Sequence, residues 1–139
     1  MSGKECKMET PWSVVRKIVV LGREVRIWIC DTGNGMTILI EGGDKGHIGA
    51  VAVAGMPFTM DVSGEETFQE VCMTFPEHRE DVVSRQWAKA VSAVYPGPVV
   101  VEAGVHYDGI GKAEIQEILE ALEAELQQVL RLIESSSDA

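Results

Sequence analysis

The spacing of the apolar residues changes character once along this chain, and that change constrains the fold more than any other feature. In "REVRIWIC" (23–30), Val25, Ile27 and Ile29 alternate with Glu24, Arg26 and Trp28, the period of a strand with one apolar face. "VVRKIVVL" (14–21) precedes it across Gly22, and "DTGNG" (31–35) follows with residues that tolerate positive φ, a hairpin signal. "MTILIE" (36–41) continues the meander, "IGAVAVA" (48–54) reads as the next strand, and "TFQEVCMTF" (67–75) as a fifth. Beyond it, Val82, Val83, Trp87, Ala90, Val91 and Val94 fall at helical spacing, with the helix spanning Glu77 to Tyr95. "YPGP" (95–98) stops that helix, "VVVEAGVHY" (99–107) is a last strand, and a second helix follows. On it, Ile115, Ile118, Leu119, Leu122, Leu126, Val129, Leu130 and Ile133 make one apolar stripe.

Strands first, then helix, strand and helix, predict an α+β fold: a mainly antiparallel sheet of about six strands with two helices packed on one face. Residues 1–13 read as a flexible leader, 14–134 as a single domain and 135–139 as a frayed tail. The 139 residues suffice for one core without metals or disulfides.

Charge and cysteine content narrow the function. A net charge of −10 argues against a nucleic-acid-binding surface, and no apolar run is long enough to span a bilayer. Glu114, Glu117, Glu120, Glu123, Glu125 and Glu134 concentrate the charge on the last helix, which reads as a solvated face. Cys6, Cys30 and Cys72 are odd in number and widely spaced, so neither a disulfide framework nor a thiolate zinc site is expected. Cys30 and Cys72 read as small buried strand residues. The polar N-terminus lacks a signal core, and the cytoplasm is the expected compartment.

Three histidines stand in similar settings, each near the junction of a strand with a loop or helix. "GGDKGHIGA" puts Gly42, Gly43, Lys45 and His47 together. Successive glycines can turn backbone N–H groups toward one anion, Lys45 supplies a point charge and His47 a donor. The same glycines also read as a plain connection, and the spacing is neither a Walker A loop nor a dinucleotide fingerprint. "HRED" places His78 and Arg79 at a helix start, where Arg79 suits a phosphate and Glu80 and Asp81 equally suit the helix dipole. "GVHYDGIG" delivers His106 and Asp108 two apart, as metal ligands or as a histidine oriented by a carboxylate. His47, His78, His106 and Asp108 together would make a mononuclear site for a divalent metal. No G-x-S-x-G elbow is present for a serine hydrolase, and neither strand cysteine has a histidine neighbour in sequence.

Taken together, "GGDKGHIGAVAVA", "EHRED" and "VHYDGIGKAEIQEIL" resemble the LpdD-like family of prenylated-flavin chaperones, accessory proteins of UbiD-type decarboxylases. The resemblance implies a protein, not catalytic by itself, that binds prenylated FMN and protects it or hands it to the decarboxylase. It implies a pocket for the flavin phosphate at Gly42, Gly43, Lys45 and His47, with His78, Arg79, His106 and Asp108 on its rim. It also implies that small residues at 49–54 let the isoalloxazine lie close to the sheet. Two other readings stay open: a small metal-dependent enzyme built on the three histidines and Asp108, and a non-catalytic assembly module whose acidic helix docks a partner. Trp12, Trp28 and Trp87 read as core or edge packing rather than flavin-stacking groups, Trp28 being the one to watch. A sheet with one bare face also leaves room for a homo-oligomer.

Overall fold

A computed structural model describes residues 11–60, 67–75 and 80–137 of the chain. Six strands, β1 (Trp12–Val20), β2 (Arg23–Asp31), β3 (Met36–Gly43), β4 (Lys45–Thr59), β5 (Thr67–Thr74) and β6 (Val99–His106), form one sheet. Helix α1 (Asp81–Ser92) lies between β5 and β6 in sequence, and α2 (Lys112–Ser137) follows β6.

The expected α+β architecture is present: strand order is β1-β2-β3-β6-β4-β5, and every neighbouring pair is antiparallel except β3–β6. The meander ends at β3. Rather than pairing with β3, β4 lies beyond β6, which inserts between them. Nothing local in "VVVEAGVHY" announces which strands it will join, so the sequence reading placed it without neighbours.

The alternation in β2 fixes the two faces. Val25, Ile27 and Ile29 point to the core with Ile38, Ile40, Val99, Val101, Ala52 and Ala54. Helix α1 covers that face with Val83, Trp87, Ala88 and Val91, and α2 with Ile118, Leu122, Leu126, Val129 and Ile133. Ala50, Ala52 and Ala54 are therefore buried beneath α1. On the face of these alanines a helix takes the place expected for the isoalloxazine against residues 49–54.

Three further departures have local causes. β1 takes in Trp12 and Ser13 of the stretch read as leader, since Trp12 pairs with Asp31 and Ser13 with Cys30. Helix α2 continues to Ser137, with the hydroxyls of Ser135 and Ser136 donating to the carbonyl of Leu132. Glu125 is buried rather than solvated, and it takes a two-point ion pair from Arg16 of β1, the longer contact at 3.2 Å. That pair pins α2 to the edge of the sheet and raises the Arg16 pKa. Cys30 and Cys72 are free and half-buried, on opposite faces of the sheet.

Candidate cofactor site

β6 ends between β3 and β4, so one residue of it faces both: Gly43 is the register partner of His106 on one side and Lys45 on the other. The chain passes around the end of β6 through Asp44 alone. The Asp44 N–H donates to the His106 carbonyl at 2.6 Å. Its carboxylate accepts from Arg23 Nε at 2.8 Å and from the Asp108 N–H at 2.7 Å. Those bonds, the Asp108 N–H first, hold the Asp44 pKa below the usual carboxylate range.

This turn explains the glycines. Gly43 adopts φ 84°, and a Cβ there would lie 2.3 Å from the His106 carbonyl oxygen. Only glycine fits such an approach of backbone to backbone. Lys45 to His47 belong to β4, not to an open loop, and the pairing with β6 shifts register between Gly46 and Ala50. A bulge of this kind re-aims side chains at a strand end. Here it turns His47 toward α1.

His47 Nε2 lies 2.7 Å from Oε1 of Glu80, the N-cap residue of α1. His106 Nε2 lies 2.7 Å from Asp108 Oδ1, so the carboxylate holds the ring although the strand stops at His106. The two imidazoles meet edge to face, with centroids 5.8 Å apart. Of the site residues read from sequence, Gly42, Gly43, Lys45, His47, His106 and Asp108 thus gather around the end of β6. His78 and Arg79 lie outside the described residues. Among the described residues no group of three or more His, Cys, Asp or Glu is placed to hold a metal ion.

Beside these groups opens a cleft of 390 Å³ between α1, α2 and the end of β6. Glu80 and His106 line it at the polar end, and Val83, Ile110, Ile115, Ile118 and Leu119 supply much of the apolar wall. Oε2 of Glu80 is buried and has no hydrogen-bond partner among the described residues. A buried acceptor without a donor is costly, and this one packs against Gly49 of β4, where a Cβ would collide with it. Lys45, exposed and next to His106 in register, adds a cation near that end.

The sequence reading missed the cleft. Glu80 is 33 residues from His47, and it was legible only as a helix-dipole acid. Ile115 was assigned to the helix stripe, yet it is 46% exposed.

Residues 21–134 match the prenylated flavin chaperone LpdD-like domain. The chain belongs to this family. The match spans all three histidine-bearing segments, helix α1 and most of α2. Among solved structures, a chain from "Crystal Structure of a Novel Chaperone Complex for Yeast 20S Proteasome Assembly" is similar at a TM-score of 0.55 and 9% identity, covering 91% of this chain and 98% of that one. At that identity the likeness is one of fold. No curated protein sequence matches the LpdD-like chain. Among the described residues no helix is long and apolar enough to cross a membrane.

Proposed function

We propose that this LpdD-like domain holds prenylated FMN in the cleft between α1 and α2 and passes it to a UbiD-type decarboxylase. The observation that carries this reading is an apolar cleft whose polar end is formed by Glu80 and His106. A cavity of 390 Å³ lies in the range of small-molecule sites, which are mostly apolar with a few placed polar groups. The isoalloxazine ring and its prenyl extension are largely apolar and fit such walls. Glu80 and His106, at the polar end, are the groups placed to meet the polar edge of the ring. His47 fixes the Glu80 carboxylate through Oε1, so the acceptor is held in place before the ligand arrives.

The phosphate belongs at the polar end, where Lys45 stands beside His106. Gly43 contributes by letting β3 close on β6, and Gly42 by letting it close on β2, rather than by wrapping the anion. Asp108 acts through His106, holding its ring. His78 and Arg79, from the sequence just before Glu80, complete the proposed rim.

Delivery is tested by loading the protein with prenylated FMN and mixing it with apo-decarboxylase. Faster recovery of decarboxylase activity than with the same amount of free cofactor supports hand-over. Equal recovery counts against it.

A further inference from the structure

The sheet has a second cavity at the end away from the cofactor cleft. β3 and β6 finish at Gly43 and His106 beside that cleft, and they begin at the paired Met36 and Val99. At this beginning, next to the last turns of α2, lies a cavity of 250 Å³. Trp12, Met56, Val94 and Ile133 make its apolar wall, Asp31 and Tyr95 bring polar groups to it, and none of its lining residues is basic.

The strand pattern puts a carboxylate where the core ends. Asp31 follows Ile29 by two residues and Trp12 precedes Val14 by two, so both take the helix side of the sheet, as register partners on β2 and β1. Asp31 is half-buried there. The Tyr95 hydroxyl and the Gly33 N–H each donate to Asp31 Oδ1 at 2.8 Å. Both donors take the same oxygen, and among the described residues nothing donates to Oδ2. From this we infer that the cavity binds an aliphatic ammonium group, its charged head on Asp31 Oδ2 and its alkyl stem along Trp12 and Met56.

Charge, shape and size select this class of ligand. A carboxylate held in one orientation and partly out of water favours a cation over a neutral donor. Aromatic rings on the wall, those of Trp12 and Tyr95, suit a cation as well. A guanidinium binds best to both oxygens of a carboxylate, and Oδ1 is already taken by two donors, so a compact ammonium is the better match. The Ser136 hydroxyl, also on the lining, donates to the Leu132 carbonyl and keeps its lone pairs for a second contact. Drug-sized ligands need about 300–1,000 Å³, so a cavity of 250 Å³ takes an alkyl chain and not a flavin ring. The net charge of −10 steers cations toward the molecule.

Titration of n-butylammonium chloride into the isotope-labelled full chain, followed by amide and indole NMR shifts, tests this, with n-butanol and sodium chloride as controls. The expected result is saturable shifts of the Gly33 amide and the Trp12 indole N–H, with n-butanol binding at least tenfold more weakly. Asp31→Asn keeps an acceptor for Tyr95 and Gly33, and it is expected to weaken n-butylammonium at least tenfold. Met56→Lys, at a position 52% exposed, sets a competing cation at the cavity and is expected to do the same with the urea-unfolding midpoint unchanged. A free amine and a lysine side chain both carry such a group. Putrescine and an N-acetylated lysine amide separate them, the tighter binder naming the source. Absence of saturable shifts, or equal binding of n-butanol, overturns the inference. So do ammonium shifts unchanged in both variants, which would put the cation elsewhere on the acidic surface. Binding seen only after removal of residues 1–10 also overturns it, because Lys4 or Lys7 would then take the cavity from any outside amine.

Discussion

The carbonyl oxygen of His47 stands 1.5 Å from the position that a Cβ on Gly104 would take. The two residues lie on neighbouring strands, β4 and β6, where the pairing slips register between Gly46 and Ala50. Close approach at this bulge is what turns His47 toward Glu80, so the absence of one methyl group underlies the geometry of the site.

Gly104→Ala is therefore expected to act on the fold and the site together. The obstruction is backbone rather than a flexible side chain, and a loss of about 2–4 kcal/mol is expected in urea unfolding. If the variant unfolds with the wild-type midpoint, β4 and β6 are not packed as described.

Arg16 and Glu125 give an asymmetric prediction. Removing the cation leaves Glu125, only 5% exposed, as a buried charge without its partner. Arg16→Met is expected to cost about 2 kcal/mol, less than for a fully buried pair because Arg16 keeps contact with water. The double variant Arg16→Met with Glu125→Leu is expected to recover most of that loss. Thermal unfolding of the single and double variants measures the difference.

The alkaline limb of stability carries the signature of Tyr95. Its hydroxyl donates to Asp31 Oδ1 at 2.8 Å. Burial first, then that carboxylate, pushes the phenol up to about 12. An unfolded tyrosine loses its proton near pH 10, so between about 10 and 12 the unfolded chain binds fewer protons than the folded one. Stability is thus fully present below pH 10 and falls as pH rises through this window, by at most about 1.4 kcal/mol per pH unit. Tyr95→Phe is expected to flatten the fall. Tyr107, raised chiefly by burial and bonded to the Val20 carbonyl, is expected to leave a smaller residual slope.

Glu80 separates binding from folding. Glu80→Gln keeps the shape but replaces a charged acceptor with a weaker neutral one. Prenylated FMN affinity is expected to drop about tenfold, in line with a hydrogen bond to a charged group. The unfolding midpoint of the ligand-free protein is expected to hold or rise, because a buried unpartnered carboxylate oxygen has gone. Loss of stability with unchanged flavin binding would instead make Glu80 a structural residue.

Local pattern made much of the fold legible. The alternation of Val25, Ile27 and Ile29 and the stripe from Ile115 to Ile133 assigned both faces and both helices from periodicity alone. What stayed hidden was non-local. The insertion of β6 between β3 and β4 depends on pairings across more than 40 residues, and no dipeptide encodes it. Glu125 resembled the other helix glutamates, although its place between Leu122 and Leu126 put it on the apolar side of α2. The site was half legible: His47 and His106 were singled out by their settings, while Glu80 acquires its role only through a contact that the fold creates. The glycines of residues 42–46 were read either as turning backbone N–H groups toward an anion or as a plain connection, and Gly43 supplies room for a neighbouring strand.

The most direct test is an anaerobic titration of reduced prenylated FMN, with plain FMN alongside, into the wild type and Ile115→Glu. Ile115 lines the cleft and is 46% exposed, so the variant changes the wall without emptying the core. Tighter binding of the prenylated form by the wild type, weakened at least tenfold in Ile115→Glu, is the predicted result. Absence of binding by the wild type, or equal binding by both proteins, would contradict placement of the cofactor between α1 and α2.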